Sequence, residues 1–299
     1  MVYLEKSKGR KHMNKQTDNT ITLHNLNKDF SGKTILKNIN LKVKRGEIFG
    51  LLGPSGAGKT TLIKILTGQL PATSGESFIN GTASAHLKGS DYKKLGIMMD
   101  NFGVYERFSC LDNLKIFARL YKIPTENIYT ALEKVGLKDA IKTPAGSLSK
   151  GMKSRLRLAR VLMINPSVLF LDEPTNGLDP ATAEEIQQLI LQESKHGKTI
   201  FLTTHNMAEA EKICNHVALL NEGSIVEYGS PQEICRRYNH QKKLLLHLTD
   251  GTDITLSHDA FSLEPLTRYM TQNTLETIHS TEPNLETVFM ELTGNALNK

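Results

Sequence analysis

Residues 53–60 read Gly-Pro-Ser-Gly-Ala-Gly-Lys-Thr, an instance of G-x-x-x-x-G-K-[ST]. They stand between an apolar run, EIFGLL, and a segment, TTLIKILTGQL, in which Leu62, Ile65 and Leu66 fall on one helical stripe. A strand, a glycine-rich turn and a helix in that order make a cradle for phosphate. The glycines let backbone N–H groups wrap the anion, and the helix start adds a favourable dipole. Lys59 is placed to reach terminal phosphates, and Thr60 to put its hydroxyl on Mg²⁺. The candidate nucleotide-binding loop is therefore Gly53, Pro54, Ser55, Gly56, Ala57, Gly58, Lys59, Thr60 and Thr61.

A second run, VLFLDEP, supplies the complement. Asp172 ends a buried strand and suits Mg²⁺, held through water. Glu173 follows it and can polarise the water that attacks a γ-phosphate. Taken alone, such a pair could equally cap a helix. A third run, FLTTH, delivers His205 to the end of another strand. In a parallel sheet all such ends lie on one edge, so His205 is expected beside the same γ-phosphate.

The elements that must position these residues follow from pattern. ITLHNLNKDF and NINLKVKRG alternate in polarity around Ser31-Gly32 and read as an antiparallel pair. Residues 111–123 read as a helix with Leu111, Leu114, Phe117 and Tyr121 on one face. SVLFLDEP and KTIFLTTH are continuous apolar runs, as expected of parallel strands covered on both faces. EEIQQLILQESKHG is a helix stopped by Gly197, and HVALLNEGSIVEYG a hairpin turning at 221–223. Beyond about residue 235 a hairpin is expected around Asp250-Gly251. A helix follows, with Pro283 near its start, Leu285, Val288, Phe289 and Leu292 on one face, and Gly294 after its end.

Bulk properties narrow the field less. With 299 residues, 39% of them hydrophobic, the chain has ample material for a core. A net charge of +6 suits an anionic ligand, an acidic membrane surface or nucleic acid, without choosing among them. No apolar run reaches the roughly 18 residues that a spanning helix needs. Cys110, Cys214 and Cys235 are odd in number and widely spaced, which points to a reducing compartment and away from disulfides or a zinc site. The opening MVYLEKSKGRKHM is basic and has no signal-peptide pattern. Residues 1–12 read as a disordered basic tail; the alternative is that Met13 is the native start, since Lys8-Gly9-Arg10-Lys11-His12 can be encoded with GGAGG shortly before its ATG.

The segment SLSKGMKSRLRLARVLM opens a helix at Ser149 and Gly151 that bears Arg155, Arg157 and Arg160. By itself it is a capped basic helix. Followed directly by LDEPTNGLDP, it makes the chain resemble the ATP-binding-cassette (ABC) ATPases. LSKGM is similar to the family signature, usually LSGGQ, and departs from it at Lys150 and Met152. TNGLD resembles the family's D-loop and ends at Asp179. Phe30 matches the aromatic that stacks on adenine, although a lone Phe would read as core. The resemblance runs over roughly residues 20–235. It implies an α/β fold, a P-loop NTPase domain of ABC type, with a mixed sheet core, an antiparallel β subdomain and a helical subdomain. We assign 13–234 to that domain and 235–299 to a small α+β appendix.

The resemblance further implies ATP and Mg²⁺ as ligands and a nucleotide-dependent head-to-tail dimer, either a homodimer or a heterodimer with a similar subunit. Each ATP would be gripped by the loop of one subunit and by 149–151 of the other, with Asp179 close by. The machine so driven is expected to be a transporter whose spans lie on a separate permease, with this chain peripheral at the cytoplasmic face. A soluble cassette acting on nucleic acid or the ribosome is the alternative. The chain lacks the sustained heptads of the former and the tandem cassettes of the latter, so no nucleic acid partner is expected. A metabolic phosphotransferase is disfavoured by LSKGM. The short tail ending EPNLETVFMELTG looks like that of drug-export and antibiotic- or bacteriocin-self-protection ATPases, which sets the expected direction as export. A lipid or an ion remains an alternative cargo.

Two further expectations concern LGIMMDNFGVYERFSC. Phe102, Tyr105 and Phe108 bring apolar bulk into a polar loop, either as local packing or as a socket for a helix of the permease. Asp100 stands where the family usually has a Gln touching Mg²⁺ and the attacking water; lantibiotic-protection relatives often carry Glu. A carboxylate about 4 Å from a phosphate charge costs roughly 4 kcal/mol at an effective dielectric near 20. With a cation between them it becomes a hard ligand, which makes Asp100 a candidate metal residue. The alternative is a solvated acid pointing away.

Overall fold

The computed structural model describes residues 18–99, 103–240, 243–257, 259 and 262–294. The chain opens with β1 (Asn19–Phe30) and β2 (Lys33–Lys44), antiparallel, with Phe30 opposite Lys33. Both turn residues have positive φ, 45° at Ser31 and 85° at Gly32, as a two-residue hairpin demands. β3 (Ile48–Leu52) then leads through the glycine loop into α1 (Lys59–Leu66). β4 (Ser74–Ile79) and β5 (Thr82–Ala83) return to the first sheet, whose order is β2-β1-β4-β5. A short α2 (Gly89–Tyr92) precedes β6 (Leu95–Met98).

A helical region follows: α3 (Cys110–Tyr121), α4 (Thr125–Lys134) and α5 (Lys150–Leu162). α3 starts on the Ser109 cap and stops where Lys122 turns left-handed at φ 55°. Its buried stripe is Cys110, Leu114 and Ala118. The expected face through Leu111, Phe117 and Tyr121 is only half-buried, because the last two side chains line a surface groove. The central sheet is completed by β7 (Val168–Asp172), β8 (Thr199–Thr204), β9 (His216–Asn221) and β10 (Ser224–Gly229). Between them run α6 (Pro180–Lys195) and α7 (Met207–Ile213).

The central sheet has six strands in the order β10-β9-β3-β8-β7-β6. All pairs are parallel except β10 with β9, so the ends of β3, β7 and β8 share one edge. Every residue of those three strands is buried. Alternation assigns each face its own core. Phe49, Phe170 and Phe201 point toward α1 and the first sheet, with ring centroids 5.3 and 5.8 Å apart along the row. Ile48, Leu169, Leu171, Ile200 and Leu202 point toward the helices.

After β10 the chain passes through α8 (Pro231–Arg237), which begins in a Ser230–Glu233 capping box. β11 (Lys243–Leu248), β12 (Asp253–Ser257) and β13 (Leu275–Ser280) form a three-stranded sheet, with α9 (Leu263–Thr271) before its last strand. The final helix, α10 (Leu285–Thr293), returns to the main core. Its Leu285, Val288 and Phe289 are buried among the residues of the helical face, and its Leu285 N–H donates to the Glu211 carboxylate on α7. Gly294, at φ 66°, ends it.

Candidate active site

Three strand ends build one cluster. After β3 the chain must pass within 2.2 Å of the Leu220 carbonyl oxygen, measured to a Cβ placed on Gly53, so only glycine fits there. Gly58 takes φ 110° and starts α1 with no capping side chain. Among the described residues no backbone carbonyl accepts from the N–H groups of Gly56, Gly58, Lys59 or Thr60. A helix start whose donors lack partners is an anion site. Ser55 and Gly56 form the exposed crest, Pro54 and Thr61 are half-buried, and Ala57 is buried.

Lys59 is the buried cation of the cluster. Its Nζ donates to Gly53 O at 2.7 Å and Pro54 O at 3.2 Å, and lies 3.1 Å from Glu173 Oε1. The other oxygen of Glu173 lies 2.8 Å from His205 Nδ1. Lys59, Glu173 and His205 thus form one continuous polar chain across the ends of β3, β7 and β8. Glu173 holds φ 50°, uncommon for a residue with a long side chain. Its N–H is anchored to Thr203 O and Thr203 Oγ1, both at 3.1 Å.

Asp172 is 3% exposed. Its Oδ2 accepts from Thr60 Oγ1 at 2.9 Å and its Oδ1 from Thr203 Oγ1 at 2.6 Å. A hydroxyl and a carboxylate in contact are hard oxygen donors, and Mg²⁺ characteristically takes one or two protein oxygens beside substrate phosphates and water. Among the described residues no group of three or more His, Cys, Asp or Glu offers a denser metal cage. The donor set therefore fits Mg²⁺. Asp100, the remaining expected metal residue, lies outside the described residues, as does Phe102.

Phe30 is 42% exposed at the end of β1, with the Lys28 ammonium 4.6 Å from its ring centroid. It is not the core residue that a lone Phe suggests. The sheet that carries it touches the loop where Ile35 and Leu36 approach Gly58.

Ser149, Gly151 and Asp179 form a second group. Ser149 caps α5, accepting from Met152 N at 3.2 Å. Gly151 packs against Thr182 so closely that a Cβ there would lie 2.5 Å from the Thr182 methyl carbon. Asp179 caps α6, accepting from Thr182 N at 3.0 Å and Thr182 Oγ1 at 2.8 Å. These two bonds, the backbone one first, hold its carboxyl below the usual carboxylate range. Among the described residues, no hydrogen bond joins Ser149, Gly151 or Asp179 to 53–61.

Two participants escape a motif reading. Thr203 holds both acids, and its only sequence signal is a hydroxyl inside an apolar strand. Glu209 on α7 gave none. It lines a cleft of about 380 Å³ with Glu173, Gly177, Thr204 and His205.

Comparison with known proteins gives this cluster a family. Residues 36–176 match the family described as ABC transporter. A fluoroquinolones export ATP-binding protein of Mycobacterium tuberculosis is 38% identical over 266 residues, covering 88% of each chain. A lantibiotic transport ATP-binding protein of Streptococcus pyogenes is 34% identical over 224 residues, covering 74% of this chain and 96% of its own. A dimeric ATP-binding cassette, solved in a post-hydrolysis state with ADP and phosphate, superimposes with a TM-score of 0.64 at 26% identity, covering 70% of this chain and 98% of that one. ABC ATP-binding subunits work with membrane permeases, and among the described residues no helix is long and apolar enough to cross a membrane. The chain belongs to the ABC transporter family, as one of its ATP-binding and ATP-hydrolysing subunits.

Proposed function

We propose that this subunit powers export of a drug, an antibiotic peptide or a bacteriocin through a separate permease, bound to it at the cytoplasmic face of the membrane. The observation that carries the ATPase part is the Lys59–Glu173–His205 chain beside Thr60 and Asp172. The export part rests on the names of the relatives, one a fluoroquinolones export protein and one a lantibiotic transport protein.

In this reading the N–H groups of 56–60 and the Lys59 ammonium bind the β- and γ-phosphates, and Phe30 stacks on the adenine. Thr60 and Asp172 would hold Mg²⁺, with Asp100 a further candidate ligand, and the ion would neutralise phosphate charge. Glu173 draws a proton from the attacking water while His205 holds the γ-phosphate and orients Glu173. Ser149, Gly151 and Asp179 act on the nucleotide of a second, head-to-tail subunit. Among the described residues no hydrogen bond ties them to 53–61 within one chain, as that division of labour requires.

The test is functional. Co-expression with a candidate permease should raise resistance to a fluoroquinolone or a lantibiotic, and Glu173→Gln should abolish the gain. Resistance that is unchanged, or equal with Glu173→Gln, would count against powered export.

The permease docks, in this reading, on the loop before α3. Tyr105 and Phe108 are 53% and 46% exposed, with ring centroids 5.8 Å apart. Buried Asn113 staples the loop, accepting from Tyr105 N and donating to the carbonyls of Tyr105, Phe108 and Ser109. A groove of about 330 Å³, lined by Phe117, Tyr121 and Arg160, lies on the adjoining face of α3. The Tyr105→Ser/Phe108→Ser pair should weaken co-purification with the permease while ATP affinity stays unchanged. An undiminished complex would assign these rings to local packing.

A further inference from the structure

The loop after β7 and the end of β8 are joined by a buried carboxylate. Glu209, on α7, is 3% exposed. Its Oε1 accepts from Thr175 Oγ1 at 2.8 Å and its Oε2 from Thr204 Oγ1 at 2.9 Å. Thr175 lies two residues after Glu173, and Thr204 immediately precedes His205. The acid is itself fixed in place. Glu209 N–H donates to Asn206 Oδ1 at 3.0 Å, and Asn206 N–H donates to Thr204 Oγ1 at 3.0 Å. Burial pushes the Glu209 carboxyl up, the hydrogen bonds from Thr175, Thr204 and Gln187 oppose that shift, and the nearby Glu173 charge adds to it. A buried carboxyl is costly unless its oxygens are satisfied. Here two of the donors come from the segments that carry the reacting side chains, and Gln187 on α6 adds a third.

We infer that Glu209 is a positioning residue, its carboxylate bracing the Glu173 loop against the end of β8 so that Glu173 and His205 keep their 2.8 Å contact. The Thr203 bonds to Glu173 N fix the root of the Glu173 loop, and the Thr175–Glu209–Thr204 bridge fixes its continuation. The bridge needs a group that accepts on both sides at once. Carboxylate does so, an amide offers one accepting oxygen, and a methyl group offers none. The kinetic consequence rests on the roles proposed above for Glu173 and His205. The geometric one does not.

Glu209→Ala should lower kcat about tenfold to a hundredfold, as a small misplacement of reacting groups does, with the KM for ATP within about twofold. Glu209→Gln should recover part of the loss. In full-length protein carrying ¹⁵N-labelled histidine, the His205 ring signals should move in Glu209→Ala in the same direction as in Glu173→Gln. Adding Glu209→Ala to His205→Ala should cost no further turnover, since the brace acts through that contact. Unmoved His205 signals, an additive loss in the double variant, or a raised KM with kcat intact would each overturn the inference. Should Glu209→Ala fail to fold, Thr175→Val removes one arm at nearly constant shape and is read the same way. If the His205 signals move as stated but neither His205→Ala nor Glu209→Ala slows turnover, the brace stands and the role given to His205 falls.

Discussion

Lys59→Ala is expected to abolish tight ATP binding and turnover. The side chain is 7% exposed, and among the described residues it is the cation that meets both the loop carbonyls and Glu173. A charge-assisted hydrogen bond to phosphate is worth about 1.5–3 kcal/mol, so losing two such contacts weakens binding by roughly a hundredfold or more. The variant also leaves the Glu173 carboxylate, 15% exposed, without its ammonium beside an incoming polyanion. Both effects act in the same direction. Titration with a fluorescent ATP analogue and a phosphate-release assay measure them, and near-normal values would refute the assignment of the loop.

Glu173→Gln should have the opposite profile, with ATP bound and not consumed. The amide keeps the volume and loses the proton acceptor, for an expected fall in kcat of about 10²–10⁴. Affinity should hold or rise, because the Lys59 ammonium no longer shares itself between phosphate and a carboxylate 3.1 Å away. With hydrolysis stopped, the proposed head-to-tail dimer should persist on size exclusion in Mg-ATP. A monomer under every nucleotide condition would count against the paired arrangement of 53–61 with 149–151.

The loop, the acids and His205 were legible in sequence because each sits where a continuous apolar strand ends, and parallel pairing sends those ends to one edge. The hairpins were legible because their turns are short and rich in glycine. The Thr203 and Glu209 contacts were not. A lone threonine in a strand and a glutamate in a polar helix carry no periodic signal, and their burial depends on how α7 rotates onto β8. The stripe of α3 was half read, since apolarity marks both the core and a surface groove. For α10 the apolar face announced burial without naming the surface that receives it.

That return of α10 changes what the C-terminal quarter is mechanically. The chain leaves the core through α8, whose Ile234 is fully buried, and re-enters it at Leu285, so residues 243–280 are a loop-out anchored at two points. An element held at both ends can be exchanged or enlarged as a single graft while the scaffold beneath it stays closed. It is also restricted in its swing, since any excursion pulls on α8 and α10 together. Because the α10 backbone is fastened to Glu211, on the helix that begins two residues after His205, a tug on that graft is delivered close to the strand end that carries His205.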